Sequence, residues 1–303
     1  MLLEDWEDQQ RTRRDKDENG AFGRTLATVS AIVALVVGIG TIATLKAQAR
    51  HSPAPAAATL HKVTRPVVGP PGSWRLKFAS SFSGTKLDSQ TWATCYPWAP
   101  NGCSNYGNSR DPDLEWYQAS QVSLNGGVLR LTAQRVPTAG LDQSGAAEEF
   151  ACRSGMASSF PGLQFTYGFI QVVAKVPFSK GLWPALWLAA ANQKWPPEID
   201  MLEHWGTETA GKVYYHPFPA SAPRQGGPVS MPNLGSGWHT FSLSWTKTRL
   251  TWYYDGTRIF TSTTDVPRQA MYFIANLADD KSGAGSCTGS MLIKSVKVWQ
   301  PPA

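Results

Sequence analysis

Cysteine and histidine are scarce in this chain, at four and five of 303 residues, and neither occurs in a Cys-x-x-Cys or paired-His spacing. The usual zinc frameworks are therefore not expected. No cysteine stands out as a nucleophile. Charge is thin as well: Asp, Glu, Lys and Arg make up 17% of the residues. The surplus of +6 lies after residue 50, because acidic and basic residues balance before His51. It is scattered rather than clustered, which argues against a nucleic-acid partner and reads first as an ordinary solvated surface. An anionic polymer or lipid headgroup is the functional alternative. Also missing are an internal repeat and, beyond the N-terminal region, any long helical period.

What is present instead is a series of short runs of β-branched and aromatic residues separated by Gly, Pro, Asn and Ser clusters. They fall at 74–79, 121–124, 128–134, 169–176, 185–189, 240–245, 249–254, 258–261, 271–275 and 291–299. This pattern predicts an all-β fold in one globular domain, residues 72–303. A monomer is the expected state.

The N-terminal part follows other rules. No charged residue occurs between Thr25 and Arg50 except Lys46, and about twenty mostly apolar residues suffice to cross a bilayer as a helix. Residues 25–45 are therefore expected to span a membrane. Arg11, Arg13, Arg14, Lys16 and Arg24 precede the run, which predicts a cytoplasmic tail, residues 1–24, and a globular domain outside the cell. Ala47-Gln48-Ala49 has the small-x-small form of a signal-peptidase site, so cleavage after Ala49 would yield a secreted protein. Tail and apolar run are both longer than in a usual signal peptide, which favours an uncleaved single-pass anchor in the cell membrane. Residues 46–71 are Ala- and Pro-rich and read as a stiff linker. All four cysteines lie on the outward side, where disulfides persist. Three pairings are possible. The short loop from Cys95 to Cys103 favours that pair, leaving Cys152 for Cys287.

The most informative segment is Glu198-Ile199-Asp200-Met201-Leu202-Glu203, three acids in six residues whose other members are apolar. Ile, Met and Leu read as a buried face, so the acids line a surface where negative charge has a use. On a regular strand Glu198 and Asp200 share a face and Glu203 points the other way. One extra residue in a β-bulge reverses that inversion and brings all three into one cleft. The outer acids would then lie about 13 Å apart between Cα atoms, at about 3.3 Å per residue. Side chains leaning inward could bring the carboxyls to the roughly 5–5.5 Å of a retaining glycosidase. Like charges this close cannot all ionise, so one acid should keep its proton near neutral pH, as a general acid must. A calcium site or a solvated acidic edge is the competing reading, but calcium favours flexible loops rich in Asp, Asn and Gly.

The chain resembles glycoside hydrolase family 16. The acids have the Glu-x-Asp-x-x-Glu form of its laminarinase-like branch. Tyr167-Gly168-Phe169, Lys175-Val176-Pro177, Gly181-Leu182-Trp183-Pro184-Ala185-Leu186-Trp187 and Trp195-Pro196-Pro197 precede them in the family's order. Trp238-His239-Thr240-Phe241, Trp245, Trp252-Tyr253-Tyr254-Asp255-Gly256 and the run from Met271 to Leu277 follow. The resemblance implies a jelly-roll β-sandwich with a concave substrate cleft. It also implies Glu198 as nucleophile, Asp200 as its helper and Glu203 as acid/base. The implied activity is endo-acting hydrolysis of a β-linked polysaccharide, a β-1,3 or mixed-linkage glucan or a related envelope glycan. A transglycosylase, or a non-catalytic carbohydrate-binding protein on the same fold, is the alternative.

Composition agrees with a sugar-binding domain. Of thirteen Trp residues, all but Trp6 follow the Pro-rich segment, and indole rings suit the flat faces of sugars. By resemblance, Trp183 is expected to contact substrate, as is His216 on the strand after the acids; Trp205 is expected to do so because it immediately follows the acid-bearing strand. Glu115 and Trp116 stand where relatives place subsite residues, and Asn276 lies on a late strand that can reach the cleft. Trp187, Trp245 and Trp252 sit in strand-like alternations and are expected to be buried, and His204 should point away from the cleft. Three departures from the family pattern stand out. Ala79-Ser80-Ser81-Phe82-Ser83-Gly84 replaces a common Asp-Glu-Phe, which weakens the case for the structural calcium many relatives carry. Gln171 stands where Glu is common and Val173 where Arg is frequent, which questions the usual subsite contacts. No cofactor and no catalytic metal are expected.

Overall fold

The computed structural model describes residues 73–98, 104–105, 114–141, 145–206, 210–279 and 287–301. The expected tail, membrane span and linker, residues 1–71, and Cys103 lie outside the described residues. No helix among the described residues is long and apolar enough to cross a membrane.

The described chain is built from strands, with a single 3-10 turn at Ala119–Gln121. In order these are β1 (Arg75–Ser80), β2 (Glu115–Tyr117), β3 (Val122–Asn125), β4 (Val128–Ala133), β5 (Thr138–Leu141) and β6 (Ala147–Phe150). There follow β7 (Cys152–Ser154), β8 (Met156–Ser158), β9 (Gly168–Lys175), β10 (Leu182–Ala190), β11 (Glu198–Glu203) and β12 (Ala210–His216). The last six are β13 (Gln225–Ser230), β14 (His239–Trp245), β15 (Leu250–Tyr254), β16 (Thr257–Ser262), β17 (Met271–Asp279) and β18 (Gly289–Gln300).

Two antiparallel sheets form a sandwich of the jelly-roll type. The first runs β16-β15-β14-β9-β18-β4-β3, with β1 also paired to β18; the second runs β13-β12-β11-β10-β17-β8. One core lies between them. Ile170, Val172 and Ala174 of β9 and Leu243 of β14 meet Leu186 and Leu188 of β10, Ile199 of β11, Val213 and Tyr215 of β12 and Phe273 of β17. Alternation then sends the intervening residues of the second sheet to its other face. That face carries the acids.

The ten apolar runs read from the sequence all become strands. Six short strands, β2, β5, β6, β7, β8 and β13, escaped that reading: β2 is only three residues long, and the others are rich in small or polar residues. Strand β13, Gln225-Gly226-Gly227-Pro228-Val229-Ser230, contains a proline and lies at the edge of the second sheet, where a missing N–H costs no ladder bond. A disulfide joins Cys152 to Cys287, 135 residues apart, with both cysteines fully buried. Cys95 is also disulfide-bonded.

Strand β9 corrects one expectation. Since Ile170, Val172 and Ala174 face the core, Gln171 and Val173 face the opposite side of the first sheet, away from the acids. Their departure from the family pattern leaves the cleft untouched.

Candidate active site

Register places the three acids on one face. Along the β10–β11 pair, Ala189 lies opposite Glu198, Trp187 opposite Asp200 and Ala185 opposite Glu203. Residues 189, 187 and 185 alternate on β10 and so share a side, and their partners share it too. The extra residue is at Met201: the pairing steps from Trp187–Asp200 to Leu186–Leu202 and passes it over. Strand β12 registers the same slip, with Asp200 opposite Tyr214 and Glu203 opposite Lys212. Met201 and Leu202, consecutive in sequence, are both buried in the core. Two successive side chains turned inward are the signature of a bulge.

A bulge removes backbone groups from the ladder, and a buried carbonyl without a donor is costly. Trp252 of β15, in the opposite sheet, supplies one: its indole Nε1 donates to the Asp200 carbonyl oxygen at 2.8 Å. As expected, Trp245 and Trp252 are core residues. Trp252 also braces the bend that aims the acids.

Electrostatics concentrates on the middle acid. Burial, then the charges of Glu198 and Glu203, pushes the Asp200 carboxyl well above the usual carboxylate range, and Arg224 pulls weakly the other way. Asp200 is buried and flanked on both sides by like charge. His216 Nε2 lies 3.4 Å from Glu198 Oε1 and 3.7 Å from Asp200 Oδ2, all three residues being buried. Register explains the contact, since Glu198 and His216 are directly paired.

Aromatic rings flank both ends of the row. At the Glu203 end Trp183 Nε1 donates to Glu203 Oε1 at 3.1 Å. The Trp183 and Trp205 rings lie 5.1 Å apart, and Lys212 Nζ sits 3.7 Å above the Trp205 ring. At the Glu198 end the Trp195 ring lies 5.6 Å from His216. Arg224 covers Tyr214 at 4.0 Å. His204 points away from this face and stacks on Phe178 at 5.4 Å.

Glu115 and Asn276 come together in a buried chain. Trp187 Nε1 donates to Asn276 Oδ1 (2.8 Å) and Asn276 Nδ2 donates to Tyr117 Oη (3.0 Å). Tyr117 Oη in turn donates to Glu115 Oε1 (2.9 Å), while the Asp279 N–H donates to Glu115 Oε2 (3.1 Å). Glu115 is 1% exposed, so it orients its neighbours from behind the open face.

Trp116 departs from the expectation. Alternation on β2 turns it away from Glu115 and Tyr117, and it packs against Phe150 (5.1 Å between rings) and Gly140 of the β5–β6 hairpin. The structure does not bring it to the acids; Tyr117 joins the chain in its place. Trp187 is buried as expected, but on the acid-bearing side rather than in the core between the sheets. Its even spacing from Trp183 and Ala185 was the available signal. Trp195, Lys212, Tyr214 and Arg224 were not singled out as site residues. Only Trp195 had a local cue, its place just before Glu198; the others are found through the β11–β12 register.

Comparison with known proteins bears on the fold and the family. The endo-1,3-1,4-beta-glycanase ExsH of Rhizobium meliloti (strain 1021) is 28% identical over 221 residues, covering 66% of this chain and 45% of that protein. The beta-glucanase of Rhodothermus marinus is 26% identical over 200 residues, 60% of this chain and 63% of that protein. The chain thus spans less than two thirds of the length of either relative. Among solved structures, the catalytic domain of an endo-1,3-beta-glucanase (laminarinase) from Thermotoga petrophila RKU-1 superposes with a TM-score of 0.64 at 23% identity. The match covers 76% of this chain and 99% of that one, and it shows a common fold. The model of the glycosyl hydrolases family 16 matches residues 108–286, more than half of the sequence and all of the acid-bearing face, and the chain belongs to that family.

Proposed function

We propose that the chain is a retaining, endo-acting glycoside hydrolase of a β-linked polysaccharide, a β-1,3 or mixed-linkage glucan or a related envelope glycan. The observation that carries this reading is the bulged β11, which presents Glu198, Asp200 and Glu203 on one face. In this mechanism Glu198 attacks the anomeric carbon and forms a glycosyl-enzyme, while Glu203 protonates the departing oxygen and later activates water. Asp200, whose ionisation is disfavoured by burial and by both neighbouring acids, limits the negative charge beside the nucleophile. Trp183 and Trp205 beyond Glu203, and Trp195 beyond Glu198, give a sugar chain aromatic surface on both sides of the scissile bond, which suits internal cleavage. The relatives' names, endo-1,3-1,4-beta-glycanase and beta-glucanase, support the glucan assignment. The expected anchor at residues 25–45, with the linker at 46–71, would hold this domain outside the cell membrane; protease accessibility in intact cells tests that placement.

The deciding experiment offers the full chain laminarin, lichenan, agarose, galactan and native envelope glycans, with reducing ends, product sizes and product anomers as readouts. Glu198→Gln should lower turnover on the order of a thousandfold or more with the fold retained. Full activity in that variant ends the assignment. Products longer than the substrate would identify transglycosylation, and an inverted first product would exclude the double displacement.

A further inference from the structure

Glu198, Asp200 and His216 meet the description of a metal site that the hydrolytic mechanism does not use. Each offers one ligand atom, and these atoms lie within 4.8 Å of one another. His216 Nε2 is 3.4 Å from Glu198 Oε1 and 3.7 Å from Asp200 Oδ2. Tetrahedral zinc with bonds of roughly 2.0–2.2 Å separates neighbouring ligand atoms by roughly 3.3–3.5 Å. The two His–carboxylate separations already match such an ion to within a few tenths of an ångström, and the two carboxylates, within 4.8 Å of each other, close on it by drawing together by about 1.5 Å at most. Its backbone is already placed, because Glu198 pairs with His216 and Asp200 with Tyr214 across two hydrogen-bonded strands.

We propose that these three residues form a binding site for a divalent transition-metal ion of the zinc type, and that the bound ion excludes substrate. One imidazole nitrogen and two carboxylate oxygens suit zinc or its first-row neighbours, whereas calcium takes six to eight oxygens. A fourth position is left for water on the open side. A cation here also offsets the negative charge that Glu198, Asp200 and Glu203 bring to one face. On binding, the metal displaces any proton held by Asp200, and the ligand bonds to the two carboxylates replace it. With one Glu198 oxygen bound to the metal, the ion holds the carboxylate's charge and, with its water, stands where the sugar ring would have to approach. The consequence is reversible, competitive inhibition by trace zinc.

Calorimetric titration of the full chain with zinc chloride tests this without reference to any glycan. The parent chain should bind an ion that Glu198→Gln and His216→Gln each bind at least about tenfold more weakly. Glu198→Gln keeps the volume of the side chain, so a folding defect in one variant does not decide the result, and circular dichroism checks both. Among the described residues, His239 and Asp255 form another close His–carboxylate pair, at 2.9 Å, and His239→Gln should leave the titration unchanged. Unaltered binding in both site variants, or loss of binding in His239→Gln, overturns the proposal, as does absence of binding to the parent. On an accepted glycan, zinc should raise KM with kcat unchanged and EDTA should restore the rate; a fall in kcat alone refutes substrate exclusion. A chain that binds zinc as described but cleaves none of the glycans would reject the hydrolase reading and leave the metal site standing.

Discussion

At the scale of single residues, two side chains shape the surroundings of Glu198 and Glu203. Trp252 holds the Asp200 carbonyl from the opposite sheet. Trp252→Phe keeps most of the ring but removes the donor, leaving a buried acceptor unpaired at a cost of about 1–3 kcal/mol. Urea denaturation should show that loss, and kcat should fall more than KM rises, because the bend that aims the acids has loosened. An unchanged kcat would reduce Trp252 to a packing residue. Asp200 is the second. Its carboxyl is raised first by burial and then by Glu198 and Glu203, so the folded chain holds a proton that the unfolded chain releases. By linkage this group's contribution to stability falls as pH rises above the usual carboxylate range, until the folded group itself ionises. Asp200→Asn removes the ionisation, so its stability relative to the parent should climb with pH across that window. Urea midpoints over a pH series check the sign, and a constant difference would contradict the raised pKa.

At the scale of elements, the bulge in β11 decides which way Glu203 points. Met201 is the residue passed over by the β10 register, so its deletion leaves Glu-Ile-Asp-Leu-Glu, a regular alternation with all three acids still on one face. That variant should lose about 2–5 kcal/mol of core packing yet keep measurable hydrolysis. An alanine inserted after Leu202 should instead turn Glu203 over and abolish activity. Assays of the two variants side by side test the register, and activity in the insertion alone would reverse the interpretation. This element was legible in the sequence because apolar and acidic residues declare their sides through a period of two, and the odd offset of Glu203 requires one irregularity. Trp116 shows where such reading stops: Glu115-Trp116-Tyr117 has polar or aromatic character at every position, so nothing local says which side faces the acids. Strands β5 to β8 and β13 were illegible for a related reason, since short strands of small and polar residues are formed by their partners.

At the scale of the whole molecule, the acid face depends on long-range closure of two sheets. Cys152 and Cys287 tie β7 to the approach of β18 across 135 residues. Replacing both with alanine should lower stability by about 2–4 kcal/mol, read from guanidinium denaturation, with kcat at low temperature little changed because neither sulfur touches the acids. A large loss of kcat in a folded variant would show that the link shapes the site. By itself the sequence determined the all-β class, the acids and their bulge, the core tryptophans and the family, because each is written in residue type and local alternation. Only the tertiary structure decided that His216 lies between Glu198 and Asp200, that Trp252 reaches Asp200 from 52 residues away and that Asn276 meets Tyr117 across 159. Those contacts follow from strand order, and strand order is set by burying two apolar faces against each other, a condition that no local stretch of chain contains.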